Sequence, residues 1–266
     1  MYNNGESLVV ILKDSEGNPI RGATLSVTLD GVKTLVTDSN GQAKLSTSGL
    51  VPNNYNALIS FLGNELYEQS SANVNVTINK QSTQIIASSI SASYNDGKSL
   101  VVILKDRQGK VLSGIGVSIN MNGAKYFITD NAGQIKVPNK GLIPKNYVVS
   151  ISFNGNNKYI KSFTTVNVLV KKATPKIIAK AKTFKKSVKT KKYKITLRNN
   201  LNRVMKNTKV TIKVNKKTYT AKTNKNGAAT FKLTKLNKKG NFKSVITYKG
   251  DKYYNKVTKT IKIKVK

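Results

Sequence analysis

The chain has 266 residues, with 47 lysines and arginines against 11 aspartates and glutamates, a formal net charge of +36, and neither cysteine nor histidine. Without cysteine there are no disulfides and no thiolate chemistry, and without histidine the commonest general base and the commonest zinc ligand are gone. No apolar run approaches the ~18 residues of a membrane-spanning helix, the longest being Leu8 to Leu12, so no membrane insertion is expected of this stretch, and Met1-Tyr2-Asn3-Asn4 does not read as a signal peptide.

From the N-terminus, Leu8, Asp14, Gly41, Pro52 and Tyr67 each recur 92 residues later, as Leu100, Asp106, Gly133, Pro144 and Tyr159. A period of that length is one small domain and not a solenoid unit. Three domains are therefore expected, at residues 1–80, 81–172 and 173–266. The first has no counterpart of Thr83-Gln84-Ile85-Ile86-Ala87 or Pro175-Lys176-Ile177-Ile178-Ala179, because Met1 aligns with Ser93. Its first strand is expected to be missing, and the sequence reads as a piece of a longer protein.

The second copy is the clearest to follow along the chain. Leu100, Val102 and Leu104 should face a core, since Val102 and Leu104 become Ile195 and Leu197 in the third copy while Val101 becomes Lys194. A turn follows at Asp106-Arg107-Gln108-Gly109-Lys110. Val117, Ile119 and Met121 then alternate with polar residues up to Asn122-Gly123, which predicts a type I′ hairpin with positive φ at both residues. Thr129-Asp130-Asn131-Ala132-Gly133 is the next turn, equivalent to Thr37-Asp38-Ser39-Asn40-Gly41 and Thr223-Asn224-Lys225-Asn226-Gly227; the Asp or Asn caps the backbone and Gly41, Gly133 and Gly227 take αL. Calcium ligation by Asp38, Asn40 and Gly41 is the alternative, but the carboxylates are too few and Asp38 becomes Asn224, so no metal and no cofactor are expected.

After Pro144, Tyr147, Val149, Ile151 and Phe153 point inward, with Tyr55 and Phe242 at the place of Tyr147. A tyrosine there resembles the tyrosine corner of immunoglobulin-like sandwiches, which Phe242 cannot form. The turn Phe-x-Gly-Asn-x-x-Tyr comes next (Phe61 to Tyr67, Phe153 to Tyr159, and more loosely Tyr248 to Tyr254), with Gly63, Gly155 and Gly250 expected at positive φ. Each copy closes on a strand with Val74, Val76 and Ile78, or Val166, Val168 and Val170, or Ile261, Ile263 and Val265 inside. About seven strands per full copy and no helical period indicate an all-β chain of β-sandwiches.

Asp-x-x-Gly-x-x-x-x-Gly (Asp14, Gly17, Gly22), Thr-Asp-x-x-Gly, Asn-Tyr and Phe-x-Gly-Asn-x-x-Tyr, in that order, resemble the bacterial Ig-like repeats of invasin-type surface proteins. The lysine-rich stretch from Ala173-Thr174-Pro175-Lys176 to Tyr254 is similar, more narrowly, to C-terminal Ig-like repeats of adhesin-like proteins of methanogenic archaea. The resemblance implies three tandem Ig-like β-sandwiches as beads in an elongated rod, at the cell surface or in the cell wall, acting as a stalk or adhesin segment. It brings no catalytic or binding residue with it. The third copy departs from it, with Asn199-Asn200-Leu201-Asn202 in place of Asp-x-x-Gly.

Charge is uneven: 5 basic and 7 acidic residues in 1–80 (−2), 12 and 3 in 81–172 (+9), 30 and 1 in 173–266 (+29). Dispersed lysines suit an anionic cell-wall polymer or surface glycan, with Lys262, Lys264 and Lys266 as candidate polyanion contacts. Nonspecific polyanion or nucleic-acid binding is the alternative function. Lysine without the arginine fork suits phosphate neutralisation more than base reading, so no specific nucleic acid is expected, although Tyr253 and Tyr254 offer rings for stacking. An enzyme acting on a small-molecule substrate would need paired carboxylates or an activated serine, and the third copy has the single carboxylate Asp251. Lys105 and Asp106 are the pair to inspect for an isopeptide crosslink.

Overall fold

A computed structural model describes residues 1–266, and every regular element in it is a β-strand. In the first repeat these are β1 (Ser7–Ile11), β2 (Thr24–Thr28), β3 (Val32–Val36), β4 (Gln42–Ser46), β5 (Asn53–Phe61) and β6 (Ser70–Ile78), forming sheets β1-β4 and β3-β2-β5-β6. The second has β7 (Thr83–Ala87), β8 (Ile90–Ser93), β9 (Ser99–Asp106), β10 (Gly116–Asn120), β11 (Ala124–Ile128), β12 (Gln134–Pro138), β13 (Lys145–Phe153) and β14 (Ser162–Lys171), in sheets β12-β9-β7 and β11-β10-β13-β14-β8. The third repeats that plan with β15 (Lys176–Ile178), β16 (Lys182–Phe184), β17 (Lys191–Arg198), β18 (Lys209–Val214), β19 (Lys217–Lys222), β20 (Ala228–Leu233), β21 (Gly240–Tyr248) and β22 (Val257–Val265), in sheets β15-β17-β20 and β16-β22-β21-β18-β19.

A full repeat thus has eight strands where the pattern suggested about seven. The leading segment changes sheets midway: β7 pairs antiparallel with β9, and β8 then pairs parallel with β14 in the opposite sheet. One short stretch of chain thus supplies one edge strand to each sheet, the opposite edges being β12 and β11.

Alternation decides the packing. Leu100, Val102 and Leu104 are at most 1% exposed, and Tyr147, Val149, Ile151 and Phe153 face them from β13. The second repeat encloses a core of 17 buried residues and the third one of 18, whereas the first has only clusters of 5 and 4. In the first repeat β1 pairs only with β4 and β6 only with β5. Leu8, Val10 and Leu12 occupy the places of Leu100, Val102 and Leu104 but are only half-buried. The inward assignment of Val74 is corrected: β6 pairs only with β5 and Val74 is 37% exposed, while Val166 and Ile261, on strands flanked on both sides, are buried.

The hairpin at Asn122-Gly123 also differs from expectation. Only Gly123 has positive φ (96°), because Asn120 pairs with Ala124 and leaves a three-residue loop, in which a single αL glycine suffices. The two-residue loop with both φ values positive occurs instead in the third repeat, at Asn215 (46°) and Lys216 (62°), between the paired Val214 and Lys217.

Turn motifs, repeat junctions and a candidate polyanion surface

Three kinds of turn carry the repeated motifs, and each is held by one side-chain oxygen. The Asp106 carboxylate accepts from the amides of Gln108 (3.0 Å) and Lys110 (2.9 Å), as Asp14 does from Glu16 and Asn18. Asn199 accepts from Leu201 and Arg203 with its amide oxygen, and Asn202, at φ 58°, takes the place of Gly17 and Gly109. The departure in sequence therefore leaves the turn intact. An amide oxygen accepts as a carboxylate does, and asparagine tolerates αL.

In Thr-Asp-x-x-Gly, Asp38 accepts from Asn40 and Gln42, Asp130 from Ala132 and Gln134, and Asn224 from Asn226 and Ala228. The threonine matters as much, which sequence reading missed. The Thr129 hydroxyl donates to the Leu112 carbonyl at 2.6 Å and accepts from the Ile115 amide, with Thr37 and Thr223 making the same bridge. All three are 4% exposed. Gly41, Gly133 and Gly227 lie at φ 67–71°, where a Cβ would come within 3.0 Å of the carbonyl oxygen of Leu12, Leu104 or Leu197.

The third motif binds its turn through Asn64, Asn156 and Asp251, which accept from Leu66 and Tyr67, Lys158 and Tyr159, and Tyr253 and Tyr254. Gly63, Gly155 and Gly250 sit at φ 81–83° against backbone atoms of the segment that leads into the returning strand. The corner tyrosines behave as the resemblance implied. Tyr147 donates to the Ile143 carbonyl at 3.0 Å and Tyr55 to that of Val51 at 2.8 Å.

Tyrosines also join one repeat to the next. Tyr2 packs edge-on against Tyr159 (5.7 Å between centroids); Tyr94, 92 residues on, stacks on Tyr253 (4.7 Å, 25°) and meets Tyr254 edge-on (5.5 Å). Burial and the neighbouring phenols of Tyr254 and Tyr253 push the Tyr94 hydroxyl above its ordinary pKa. Backbone bonds accompany the rings: Gln81 is bracketed by Lys158 and Ile160, and Ala173 by Tyr253 and Asn255. The rings of Tyr253 and Tyr254 are therefore already engaged within the chain. Residue 186, another 92 further, is a lysine whose amide makes the same backbone bond (to Lys266) as those of Tyr2 (to Asn79) and Tyr94 (to Lys171).

Lys262 and Lys264 are exposed on β22, on the outer side of the five-stranded sheet, and the exposed Lys266 follows just past the end of that strand. Lys243 lies directly opposite Lys262, and Lys182, Thr183 and Asn241 border Lys262 and Lys264 around a shallow depression of about 270 Å³. The remaining lysines are spread over both faces, with Lys209 opposite Lys222 and Lys192 opposite Lys232. None is paired, the sole ion pair of the chain being the Met1 amino group with Glu6 at 3.5 Å. Lys191 is a different case: alternation turns it inward, and its buried ammonium donates to the Val188 carbonyl at 2.7 Å. At the pair considered for a crosslink, Asp106 is buried and occupied by its own turn.

No protein-family model and no curated protein matches the chain. Among solved structures it is similar to a 1.5-MDa bacterial ice-binding adhesin (15% identity, 98% of this chain and 91% of that one, TM-score 0.32). It is also similar to invasin, a bacterial integrin-binding protein (14%, 99% and 58%, TM-score 0.40), and to titin domains Z1Z2 in complex with telethonin (10%, 71% and 98%, TM-score 0.39).

Proposed function

We propose that the chain is a structural Ig-like stalk or spacer of a cell-surface adhesin-like protein, divided near residues 80 and 172, and that its basic third repeat lies against anionic cell-wall polymer or surface glycan. The narrower likeness to adhesin-like proteins of methanogenic archaea belongs to the same reading, as does an extracellular location. One observation supports it above the rest: every recurring motif residue is spent on its own turn or on a junction, which leaves the lysines as the free chemistry. Point charges without fixed geometry suit a polymer of repeated anionic groups.

Retention on immobilised heparin at low salt tests this reading, using the whole chain and each repeat. Retention should map to residues 173–266, fall steeply with added salt, and be absent for residues 1–80. Retention that survives molar salt, or that discriminates between DNA sequences, would favour a dedicated nucleic-acid site.

A further inference from the structure

We propose that the outer face of the second repeat's five-stranded sheet binds an uncharged polysaccharide, with sugar rings stacked on Tyr126 and Phe163 and the serines between them meeting sugar hydroxyls. Strand pairing lays these four side chains in one row. Tyr126 on β11 is opposite Ser118 on β10, Ser118 is opposite Ser152 on β13, and Ser152 is opposite Phe163 on β14. Directly paired residues point to the same side of a sheet, and here it is the outer side, since the sequence neighbours Val117, Ile151 and Phe153 fill the core. Tyr126 is 71% exposed and Phe163 67%. Three strand spacings of ~4.8 Å set the two rings about 14 Å apart, a span for several linked sugars and too long for one.

The other repeats show that the aromatic ends are an addition. Thr34, Ser26, Ser60 and Ser71 cross the first repeat in the same row, and Thr220, Thr211, Thr247 and Thr258 cross the third. A second substitution accompanies Tyr126. Gly116, next to Ser118 on the same face, stands where the first repeat has Thr24 and the third Lys209, and a Cβ on it would run into the Tyr126 phenol. The glycine thereby seats the phenol across β10. Chemistry selects the occupant. Gly116, Asn120, Ser150 and Thr165, the outward positions beside the row, are uncharged, whereas Gly116 and Asn120 become Lys209 and Lys213 in the third repeat, so a polyanion finds no cation here. A protein partner is a poorer match, because the centres of protein interfaces are depleted in serine. A sugar ring supplies both complements: an apolar C–H face that settles on the negative face of an aromatic ring, and a rim of hydroxyls that donate to and accept from serine.

The site stands apart from the lysines of the third repeat, and the test keeps the two separate. The intact chain is titrated calorimetrically with neutral oligosaccharides of glucose, mannose, galactose and N-acetylglucosamine, in salt high enough to release it from heparin; at least one series should bind. Tyr126→Ala and Phe163→Ala should each weaken that binding about tenfold or more, as loss of a stacking ring does, with the Tm of the second repeat little changed. Gly116→Ala should weaken it with both rings still present, since its Cβ evicts a phenol that is free to swing away. Heparin retention should be the same in all three variants. Binding of none of these sugars, or binding that survives the two ring substitutions together, would overturn the proposal. So would sedimentation showing a self-associated chain that Tyr126→Ala returns to monomer, which would make this face a contact between copies.

Discussion

Replacing Gly155 with valine separates a structural turn from a recognition loop. Gly155 has φ +81°, and a Cβ there would lie 2.9 Å from the Lys161 nitrogen and 3.0 Å from the Tyr159 oxygen, both backbone atoms that cannot swing aside. Positive φ alone costs a non-glycine residue about 1–3 kcal/mol, more for a β-branched one. Displacing the Tyr159 carbonyl also threatens its bond from the Asn156 amide (3.0 Å), worth about 1 kcal/mol. Gly155→Val should therefore destabilise the second repeat by about 2–4 kcal/mol, a fall in its Tm on the order of 10–20 °C for a domain of this size. Gly123 is the control: its φ is +96° but nothing lies within 4 Å of its Cβ, so Gly123→Val should show the backbone cost alone. Calorimetry of the intact chain reads both variants, and heparin retention should be unchanged in each. An unchanged Tm with lost ligand binding would refute the structural reading of the motif, and equal losses for the two variants would refute the steric part.

Acid should act unevenly along the chain. Hydrogen bonding from Asn18 holds Asp14 below the ordinary aspartate range, and the Gln42 and Asn40 amides do the same for Asp38. Burial raises Asp96, but the amides of Ser93 and Lys98 and the Asn139 side chain outweigh it, so it too is lowered. A depressed folded pKa gives stability that is present above the unfolded value of about 4 and lost as pH falls through the folded one. The first two repeats should thus lose Tm below about pH 4, whereas Asn199 and Asn224 hold the equivalent turns of the third without titrating; equal acid sensitivity in all three transitions would contradict this. At the second junction, Tyr94→Ala removes two aromatic contacts of about 0.5–1.5 kcal/mol each and should uncouple the second and third unfolding transitions while leaving the Tyr2–Tyr159 contact, a result that unchanged coupling would deny.

The sequence makes the sandwich legible because alternation and turn chemistry are local. Tyr147 to Phe153 can be assigned a face by counting, and Asp130 with Gly133 names its own turn. What stayed hidden depends on partners far along the chain. Val74 has the same alternation as Val166, yet its burial depends on whether a parallel strand such as β8 lies beside it. Asn122-Gly123 carries the strongest short hairpin signal, but the loop length is set by the pairing of Asn120 with Ala124. Thr129 reads as part of a turn, while its hydroxyl bridges to Leu112 and Ile115, 14 to 17 residues away. Tyr2 and Tyr94 share the 92-residue register, which the sequence shows, but their partners Tyr159 and Tyr254 lie far along the chain.

The exposed lysines of the third repeat, which leave out the buried Lys191, pose the converse question, since they form no ion pair and several stand directly opposite one another. Lys243 faces Lys262, Lys209 faces Lys222 and Lys192 faces Lys232, on exposed strands without a carboxylate to relieve them. Like charges across an antiparallel pair cost a few tenths of a kcal/mol or more each, screened beyond roughly 8 Å at physiological salt. Against that cost stands the largest of the four buried clusters, 18 residues, with β15 and β16 each supplying one edge strand to its sheets. A bound polyanion would remove the repulsion and gain by counterion release together, so the surface that strains the free domain is the one a polymer of anionic groups would stabilise most.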